Sequence, residues 1–467
     1  MKTYNLLKTA LVLSLIAILS LSMAIGQTLT NTGTITNTGT MTVNNVSNTT
    51  GTVDNSTGTF KIKGALTNTT ANNFDTQTGS VEFIGAAAAQ TINSNVKNST
   101  YLNVAGRNGG TKSIGGNITV SGTVTADGAT TTVDVGSNIL TVTGASPIVS
   151  VASGVFTSAT GTTNYAGDLA QSVYPTSYAN LTTSGATASR TKTASGNVTV
   201  TGTLTNGTNN VLDFASNAFT ATGATFANSN LLKSAGVVNV TAGVAINGTF
   251  EFYSGLAQTV PAASFVNLTL SGAGAKSYTS GTTSVSSSYA VSGGARNYST
   301  GTFNYNGTSQ TVIGDGYYNL TYTGSGLGDT KTAAGAIAVG NNFTNTLGTG
   351  NMLTYGLTVA GTKVNSGKMQ FAGLSNGIVF SDGIVEYNGT TIGAASQSIA
   401  AGTYFNLVFN NDSPKNVLAG TTVHTTSNLN IGSGVVANVQ ATGNLNIDLD
   451  LTNAGTLNNA GSTTIGN

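Results

Sequence analysis

The sequence predicts an all-β fold, an elongated β-solenoid of repeated short strands, and three observations favour it. A skeleton of apolar and polar residues recurs five times, the segments between copies alternate apolar with polar residues, and Pro occurs only four times in 467 residues. Alternation of period two is typical of strands, while the Gly and Asn that end these segments supply the positive φ of tight corners. We therefore expect coils of strand and turn that stack along an axis.

The repeated skeleton is clearest between Gly301 and Lys331, which reads GTFNYNGTSQTVIGDGYYNLTYTGSGLGDTK. Each copy, here called a module, has Gly, an alternating apolar triplet, Gln-Ser/Thr-Val/Ile, an aromatic residue, Asn-Leu/Val and finally Lys. The modules begin at Gly79, Gly161, Gly248, Gly301 and Gly383, so successive starts are 82, 87, 53 and 82 residues apart. An interval of 53 residues can hold two coils but is short for a β-sandwich of ~100 residues, so tandem β-sandwich domains are the less favoured alternative.

The two ends of the chain share a six-residue repeat. Leu29, Ile35 and Met41 lie six residues apart in TLTNTG, TITNTG and TMTVNN, and LTNAGT and LNNAGS follow from Leu451. No helix places one apolar residue every six positions on a useful face, whereas short strands broken by Asn-Thr-Gly corners do. We predict an N-terminal hexad region at 27–78, a five-module region at 79–440 and a C-terminal hexad region at 441–467.

Residues 1–26 have the pattern of a secretory signal peptide. Lys2 and Lys8 precede an apolar run from Ala10 to Leu21, and the small residues Ala24 and Gly26 follow. The run is shorter than the ~20 residues that a membrane span requires. We therefore expect a secreted protein, extracellular or at the cell surface, with no membrane span after cleavage.

Composition restricts the function classes. Charged residues are 7% of the chain, against roughly 25% on average, and the chain has no Cys and one His. These counts exclude disulfides and thiolate metal sites and make His-dependent catalysis improbable, so we expect no enzyme and no cofactor. Without Lys2 and Lys8 the chain carries 14 basic and 15 acidic residues, a balance that argues against nucleic acid or an anionic membrane as partner.

The module pattern Phe/Val-x-Tyr-x-Gly-x-x-Gln-Thr-Val, then Tyr-x-Asn-Leu-x-Leu-x-Gly and Lys, resembles that of large secreted β-strand-repeat proteins of Gram-negative bacterial surfaces. The resemblance covers roughly residues 79–440, and the hexads at both ends are similar to those of the same group. It implies an adhesin-like β-helix and says little about a specific activity.

Several charged residues are candidates for chemistry. Glu82, Glu251 and Glu386 share one module position, but whole modules separate them, whereas a glycosidase needs two carboxyls about 5–10 Å apart. Asp448 and Asp450 project from one strand face and could bind calcium, which needs six to eight oxygens. We interpret all five as solvent-facing, and His424 as a surface or corner residue without a catalytic partner.

The lysine position of the module admits two interpretations. Lys112, Lys192, Lys276, Lys331 and Lys415 could form a positive row for acidic glycans, or they could cap strands and protect a sheet edge from unwanted pairing. The second interpretation is favoured.

The best candidate for recognition is an aromatic and Asn row. Strict alternation places Tyr318, Leu320 and Tyr322 on the core side and turns the intervening residues outward, where aromatic rings can stack on sugars or on protein. The outward row is predicted to comprise Tyr101, Asn103, Tyr178, Asn180, Phe265, Asn267, Tyr317, Asn319, Tyr404 and Asn406. An external ladder that only stabilises neighbouring coils is the competing interpretation.

These observations together predict a secreted structural protein of the cell surface or extracellular matrix. We expect it to act by self-association into head-to-tail filaments or by adhesion to other surface components. The alternative is a β-helix that binds or cleaves carbohydrate, with a glycan as partner.

Overall fold

The computed structural model describes residues 28–466, apart from 56, 87–88, 186, 374–377 and 391–395. The predicted signal peptide lies outside the described residues. The described chain is almost entirely β-structure, with two short 3₁₀ helices at Ala71–Asn73 and Lys97–Ser99. It divides into two compact units, Met1–Gly161 and Thr162–Asn467.

The strands of the first unit are short and follow one another at close intervals. In chain order they are β1 Thr28–Asn31, β2 Thr34–Thr36, β3 Thr40–Val43, β4 Asn45–Asn48, β5 Thr52–Asp54, β6 Thr59–Ile62, β7 Leu66–Asn68, β8 Phe74–Phe83, β9 Gln90–Ile92, β10 Thr100–Arg107, β11 Gly110–Ile114, β12 Ile118–Val120, β13 Val124–Asp127, β14 Thr131–Asp134, β15 Ile139–Val142, β16 Ile148–Val151 and β17 Val155–Tyr165, which contains the unit boundary.

The strands of the second unit have the same character. They are β18 Gln171–Val173, β19 Ser177–Thr183, β20 Arg190–Ala194, β21 Val198–Asn206, β22 Asn210–Asp213, β23 Phe219–Ala221, β24 Thr225–Asn228, β25 Leu231–Ser234, β26 Val238–Val240, β27 Ala245–Phe252, β28 Gln258–Val260, β29 Ser264–Leu270, β30 Lys276–Tyr278, β31 Thr282–Val291, β32 Arg296–Asn297, β33 Thr302–Tyr305, β34 Gln310–Val312, β35 Gly316–Tyr317, β36 Asn319–Tyr322, β37 Thr330–Ala333, β38 Ile337–Val339, β39 Phe343–Asn345, β40 Thr349–Asn351, β41 Leu357–Val359, β42 Lys363–Asn365, β43 Lys368–Phe371, β44 Ile384–Tyr387, β45 Gln397–Ser398, β46 Gly402–Tyr404, β47 Asn406–Phe409, β48 Lys415–Val417, β49 Thr422–Thr425, β50 Leu429–Ile431, β51 Val436–Val439, β52 Asn444–Ile447, β53 Leu451–Asn453, β54 Thr456–Asn459 and β55 Ser462–Ile465.

The strands pair in parallel with the strands one coil later. β1 pairs with β4 and β4 with β7, while β2 pairs with β5 and β3 with β6, so three strands complete one coil before the same face is reached again. The result is a β-solenoid of about 21 turns, which confirms the predicted fold class. The β-sandwich alternative is wrong, because sandwiches are built from antiparallel sheets.

The core consists of inward side chains that stack in columns from coil to coil. In the first unit Met41 lies in register with Phe60, Phe60 with Val81, and Val81 with Val104. Phe60, Val81 and Val104 are buried, whereas the residues that flank each of them on its own strand are more exposed. The period-two alternation predicted from the sequence holds in strands such as β6 and β8, whereas β31 and β44 each contain three buried residues in a row.

Module-start glycines lie where successive coils approach most closely. A Cβ atom on Gly79 would be 2.0 Å from the Asn55 carbonyl oxygen, and one on Gly383 would be 1.9 Å from the Asn365 carbonyl oxygen. Gly161, Gly248 and Gly301 would make similar contacts at 2.3–2.7 Å. The first residue of the module is thus Gly because a side chain would collide with the preceding coil.

Buried Asn side chains replace apolar residues at the corners and bond to one another across coils. Asn31 Nδ2 donates to Asn48 Oδ1 at 3.0 Å, and Asn48 Nδ2 donates to Asn68 Oδ1 at 2.9 Å. In the second unit Asn206 Nδ2 donates to Asn228 Oδ1 at 2.8 Å and to the Asn210 and Leu231 carbonyls. These ladders satisfy corner carbonyls that face the interior, where an unpaired polar group is costly.

Substitution of a ladder residue should destabilise the solenoid. Asn206→Ala removes one donor from three buried acceptors, so we expect a loss of roughly 2–3 kcal/mol in the free energy of unfolding. The matched Asn239→Ala, at an exposed strand position, should change it by less than about 0.5 kcal/mol. Urea denaturation followed by circular dichroism measures both, and equal midpoints for the two variants would contradict the proposed role of the ladder.

Candidate functional site

The module occupies two successive coils. Within Gly301–Lys331, β33 lies in register with β36, so that Phe303 pairs with Leu320 and Tyr305 with Tyr322. The Gln and Lys of the module are likewise direct neighbours, Gln310 beside Lys331. The same register joins Gln90 to Lys112, Gln171 to Lys192, Gln258 to Lys276 and Gln397 to Lys415. The sequence repeat therefore records two passes of the chain over the same faces.

The lysines of the module lie inside the protein. All five have no exposed surface, and each Nζ donates hydrogen bonds to corner carbonyls. Lys415 Nζ, for example, lies 2.6 Å from the Ser413 oxygen and 3.2 Å from the Gly389 oxygen. Neither the predicted positive row nor edge protection applies, because the carbonyls at this corner point inward and the ammonium group is their donor.

The module Gln, one coil before the Lys, binds the backbone N–H of the residue whose carbonyl the Lys binds. Gln397 Oε1 accepts from the Gly389 N–H at 3.1 Å, while Lys415 binds the Gly389 carbonyl. Gln397 Nε2 also donates to the Phe371 and Gly373 carbonyls, at 2.7 and 3.0 Å, in the coil before. This Gln–Lys clamp thus connects three consecutive coils.

Every module forms the clamp on one corner residue. In each copy the Gln side chain accepts from the N–H of that residue and the Lys side chain donates to its carbonyl. The clamped residues are Gly85, Gly167, Ser254, Gly307 and Gly389. Since the same atoms meet five times, the Gln and Lys positions of the module have a structural role.

Replacement of a clamp lysine by an apolar residue removes the desolvation cost of a buried charge. We nevertheless expect it to destabilise the protein. Lys415→Met leaves the Gly389 and Ser413 carbonyls without their donor, and we expect a loss of about 2 kcal/mol or more in the free energy of unfolding. The exposed Lys363 provides the control, and Lys363→Met should change stability by less than about 0.5 kcal/mol. Urea midpoints for both variants test this, and an unchanged midpoint for Lys415→Met would contradict the clamp.

Burial lowers the pKa of the clamp lysines, because desolvation disfavours the charged ammonium. The pKa of Lys192 and that of Lys415 fall from 10.5 to about 8, and those of Lys112, Lys276 and Lys331 fall in the same direction. Buried tyrosines shift the opposite way: desolvation raises the pKa of Tyr289 from 10.0 to about 12.

These shifts predict a stability maximum at alkaline pH. Between about pH 8 and 10.5 the unfolded chain binds more protons than the folded chain at the clamp lysines, so stability rises with pH on their account. Above pH 10 the folded chain retains tyrosine protons that the unfolded chain releases, so stability falls. Urea midpoints from pH 7.5 to 11 measure the profile. Lys415→Met should flatten its rising limb, and a steady fall from pH 8 to 10 would contradict the assignment.

The predicted aromatic row is buried, so the expectation that it faces outward is wrong. Tyr101, Tyr178, Phe265, Tyr317 and Tyr404 are at most 2% exposed, whereas Phe405, the residue after the last of them, is 45% exposed. The cause is one corner residue after each aromatic ring. The strand register shifts between Tyr101 and Asn103, Tyr178 and Asn180, and Phe265 and Asn267. In the last two modules the strand breaks at Tyr318 and Phe405.

The buried hydroxyls of the row have partners. Tyr178, Tyr317 and Tyr404 each donate to a carbonyl four residues earlier, at 2.6–2.8 Å, and contact a second tyrosine hydroxyl at 2.9–3.0 Å. The second tyrosines are Tyr165, Tyr305 and Tyr387, at the end of the apolar triplet. In the third module both positions are Phe, Phe252 and Phe265. In the first module Phe83 ends the triplet and the Tyr101 hydroxyl donates to the Asn93 carbonyl at 2.5 Å, so the two positions do not change together in every copy.

The Asn positions of the row are half-buried and hold the following coil. Asn103 Oδ1 accepts from the Thr123 N–H and Asn180 Oδ1 from the Thr203 N–H, both at 2.9 Å. Asn267, Asn319 and Asn406 accept from the N–H groups of Ser288, Asn342 and Asn428 at 3.1–3.3 Å. Each Asn therefore satisfies a backbone donor just beyond the corner.

Two of the three module glutamates enter lateral ion pairs. Glu82 lies between Lys61 and Arg107, at 3.3 and 3.2 Å. Glu386 is 95% buried and contacts Lys368 at 3.0 Å, so its predicted exposure to solvent is wrong. Burial opposes its ionisation, but hydrogen bonds from Gln370, Asn410 and Lys368 outweigh that effect and lower its pKa. Glu82 and Glu386 thus pair with cations of neighbouring coils, whereas Glu251 accepts a hydrogen bond from the Ser271 hydroxyl at 2.5 Å.

Of the three remaining candidates, Asp450 is exposed to solvent and the other two form a pair. His424 Nε2 lies 2.6 Å from Asp448 Oδ1, one coil away, so this His has an acidic neighbour that the sequence did not suggest. Among the described residues no three His, Cys, Asp or Glu side chains lie close enough to hold a metal ion. No helix in that part of the chain is long and apolar enough to cross a membrane.

Comparison of the chain with protein-family models, with curated proteins and with solved structures found no match.

Proposed function

We propose that this protein is a secreted structural protein of the cell surface or extracellular matrix that acts by self-association into filaments. The observation that carries the proposal is the pairing of the terminal coils. β53, β54 and β55 pair with β50, β51 and β52 and with no later described strand. Among the described strands, β1, β2 and β3 likewise pair only with β4, β5 and β6. Unpaired strand edges are templates for another chain.

The interior side chains of these coils support the same proposal. Leu451 and Leu457 stack beneath the buried Leu429 and Ala437, yet are only partly covered themselves. Leu29 and Ile35 are partly covered in the same way at the other end. Another coil would remove this apolar surface from water, which is favourable by about 25 cal/mol per Å².

The charge distribution is compatible with close association. The formal net charge is +1, and five of the sixteen basic residues are the buried lysines of the clamps. Long-range repulsion that would keep copies apart is therefore weak. Export rests on the signal peptide predicted at residues 1–26.

The burial of the module side chains favours a structural role over carbohydrate recognition. The alternative depended on an outward aromatic row, and those rings contribute to the core instead. The Gln, Lys, Asn and aromatic positions all stabilise contacts between coils. What repeats along the chain is thus a device for stacking.

Self-association should depend on the apolar end of the last coil. We expect the purified protein to form filaments visible by negative-stain electron microscopy and to sediment as large species. Leu457→Lys should abolish assembly, because its ammonium is solvated in the free coil but would be buried on association. Leu449→Lys, at a corner position that is 60% exposed, should leave assembly unchanged. Monodisperse monomers of the unsubstituted protein at high concentration would contradict the proposal.

A further inference from the structure

The sequence of the last described coil aligns with that of the first described coil. Residues 450–465 align with 28–43 without a gap, and eight of the sixteen positions are identical. The inward residues Leu29, Ile35 and Met41 correspond to Leu451, Leu457 and Thr463, six residues apart in both sets. Both coils therefore have three faces of the same length, so that one could continue the other.

The Asn ladders show what such a continuation would bury. Asn31 and Asn37, at most 5% exposed, begin ladders through Asn48 and Asn55 respectively. Their counterparts Asn453 and Asn459 are exposed. Placed before Asn31 and Asn37, these two side chains would extend both ladders by one step.

In both coils the first two faces end in Asn, whereas the third face ends in an apolar residue. Val43 occupies the position where the first two hexads have Asn, and Ile465 occupies it in the last coil. Val43 is buried, whereas Ile465 is 49% exposed. A continuation in this register therefore places an exposed Ile against a buried Val.

Two glycines of the first coil provide independent evidence. Gly33 and Gly39 do not have positive φ, and no described atom lies within 4 Å of a Cβ built on either. One coil later, a Cβ on Gly51 or Gly58 would lie 2.5 Å from Nδ2 of Asn31 or Asn37. A Cβ on the counterparts Gly455 or Gly461 would likewise lie 2.3 Å from a carbonyl oxygen of the preceding coil. These corners thus require glycine when another coil precedes them. No described coil precedes Gly33 and Gly39, so within the described chain nothing excludes a side chain at these two positions.

We propose that the C-terminal coil, residues 450–465, of one copy stacks in parallel on the N-terminal coil, residues 28–43, of a second copy. The register places Leu451 on Leu29, Leu457 on Ile35 and Ile465 on Val43. The contact joins two different surfaces, so each added copy presents the same surface again and assembly propagates. This inference rests on the proposed self-association and names its interface.

A side chain at Gly39 separates assembly from folding. Gly39→Val places a branched side chain in space that is open in the single chain but occupied in the stack. The variant should keep the circular dichroism spectrum and urea midpoint of the unsubstituted protein and form no filaments. Thr38→Val, at the neighbouring exposed position, is the matched control and should assemble normally. Normal filaments of Gly39→Val would overturn the proposed interface.

Disulfide trapping tests the register, and the absence of Cys from the chain makes it specific. One copy carrying Thr30→Cys is mixed with another carrying Thr452→Cys and oxidised. Direct neighbours in parallel strands lie within the Cα separation that a disulfide requires, about 4.4–6.8 Å, so a covalent heterodimer should form. Thr36→Cys mixed with Thr452→Cys lies on different faces and should give little product.

The outcomes distinguish the two proposals. If the unsubstituted protein remains monomeric, self-association itself fails. If it assembles but Gly39→Val assembles equally well and Thr30→Cys does not trap Thr452→Cys, the protein self-associates through another surface.

Discussion

The parallel backbone pairing between successive coils is the constraint on which the rest of this structure depends. Straight strands satisfy it with backbone hydrogen bonds alone, but corners turn carbonyl and N–H groups into an interior without water. Side chains must supply the missing partners there. The Gln–Lys clamp does so for one corner of each module, the Asn of the module does so for the next, and Asn ladders such as Asn206 to Asn228 do so elsewhere.

Polar side chains thus stabilise the corners of this protein, while apolar columns fill the straight faces. A clamp lysine is desolvated at a cost that appears in its lowered pKa, and backbone carbonyls without a charge of their own offset it. Backbone carbonyls accept from all five ammonium groups, and Asp168, Asp329 and Asp412 add electrostatic attraction to Lys192, Lys331 and Lys415. This explains how a protein with few charged residues can bury five of its cations.

Strand periodicity, the repeated module and the solenoid class could be predicted from the sequence, because alternation and spacing depend on local geometry. The faces of Tyr317 and Tyr404 could not, because a single corner residue, Tyr318 or Phe405, shifts the alternation by one. Lys331 was expected at the surface because lysine usually is. The sequence separation between Gln310 and Lys331 equals the length of one coil, which places the two residues side by side. That coil length is known only once the strands are paired.

A module that occupies two coils also restricts how such a gene can change length. Removal of a single coil between Gln310 and Lys331 would leave the Gln without its Lys and the corner residue Gly307 without a donor for its carbonyl. Deletions and duplications are expected to be tolerated where they begin and end between modules, or within the filler coils that separate them. Recombination among repeats is therefore expected to preserve the coil pair as the inherited unit.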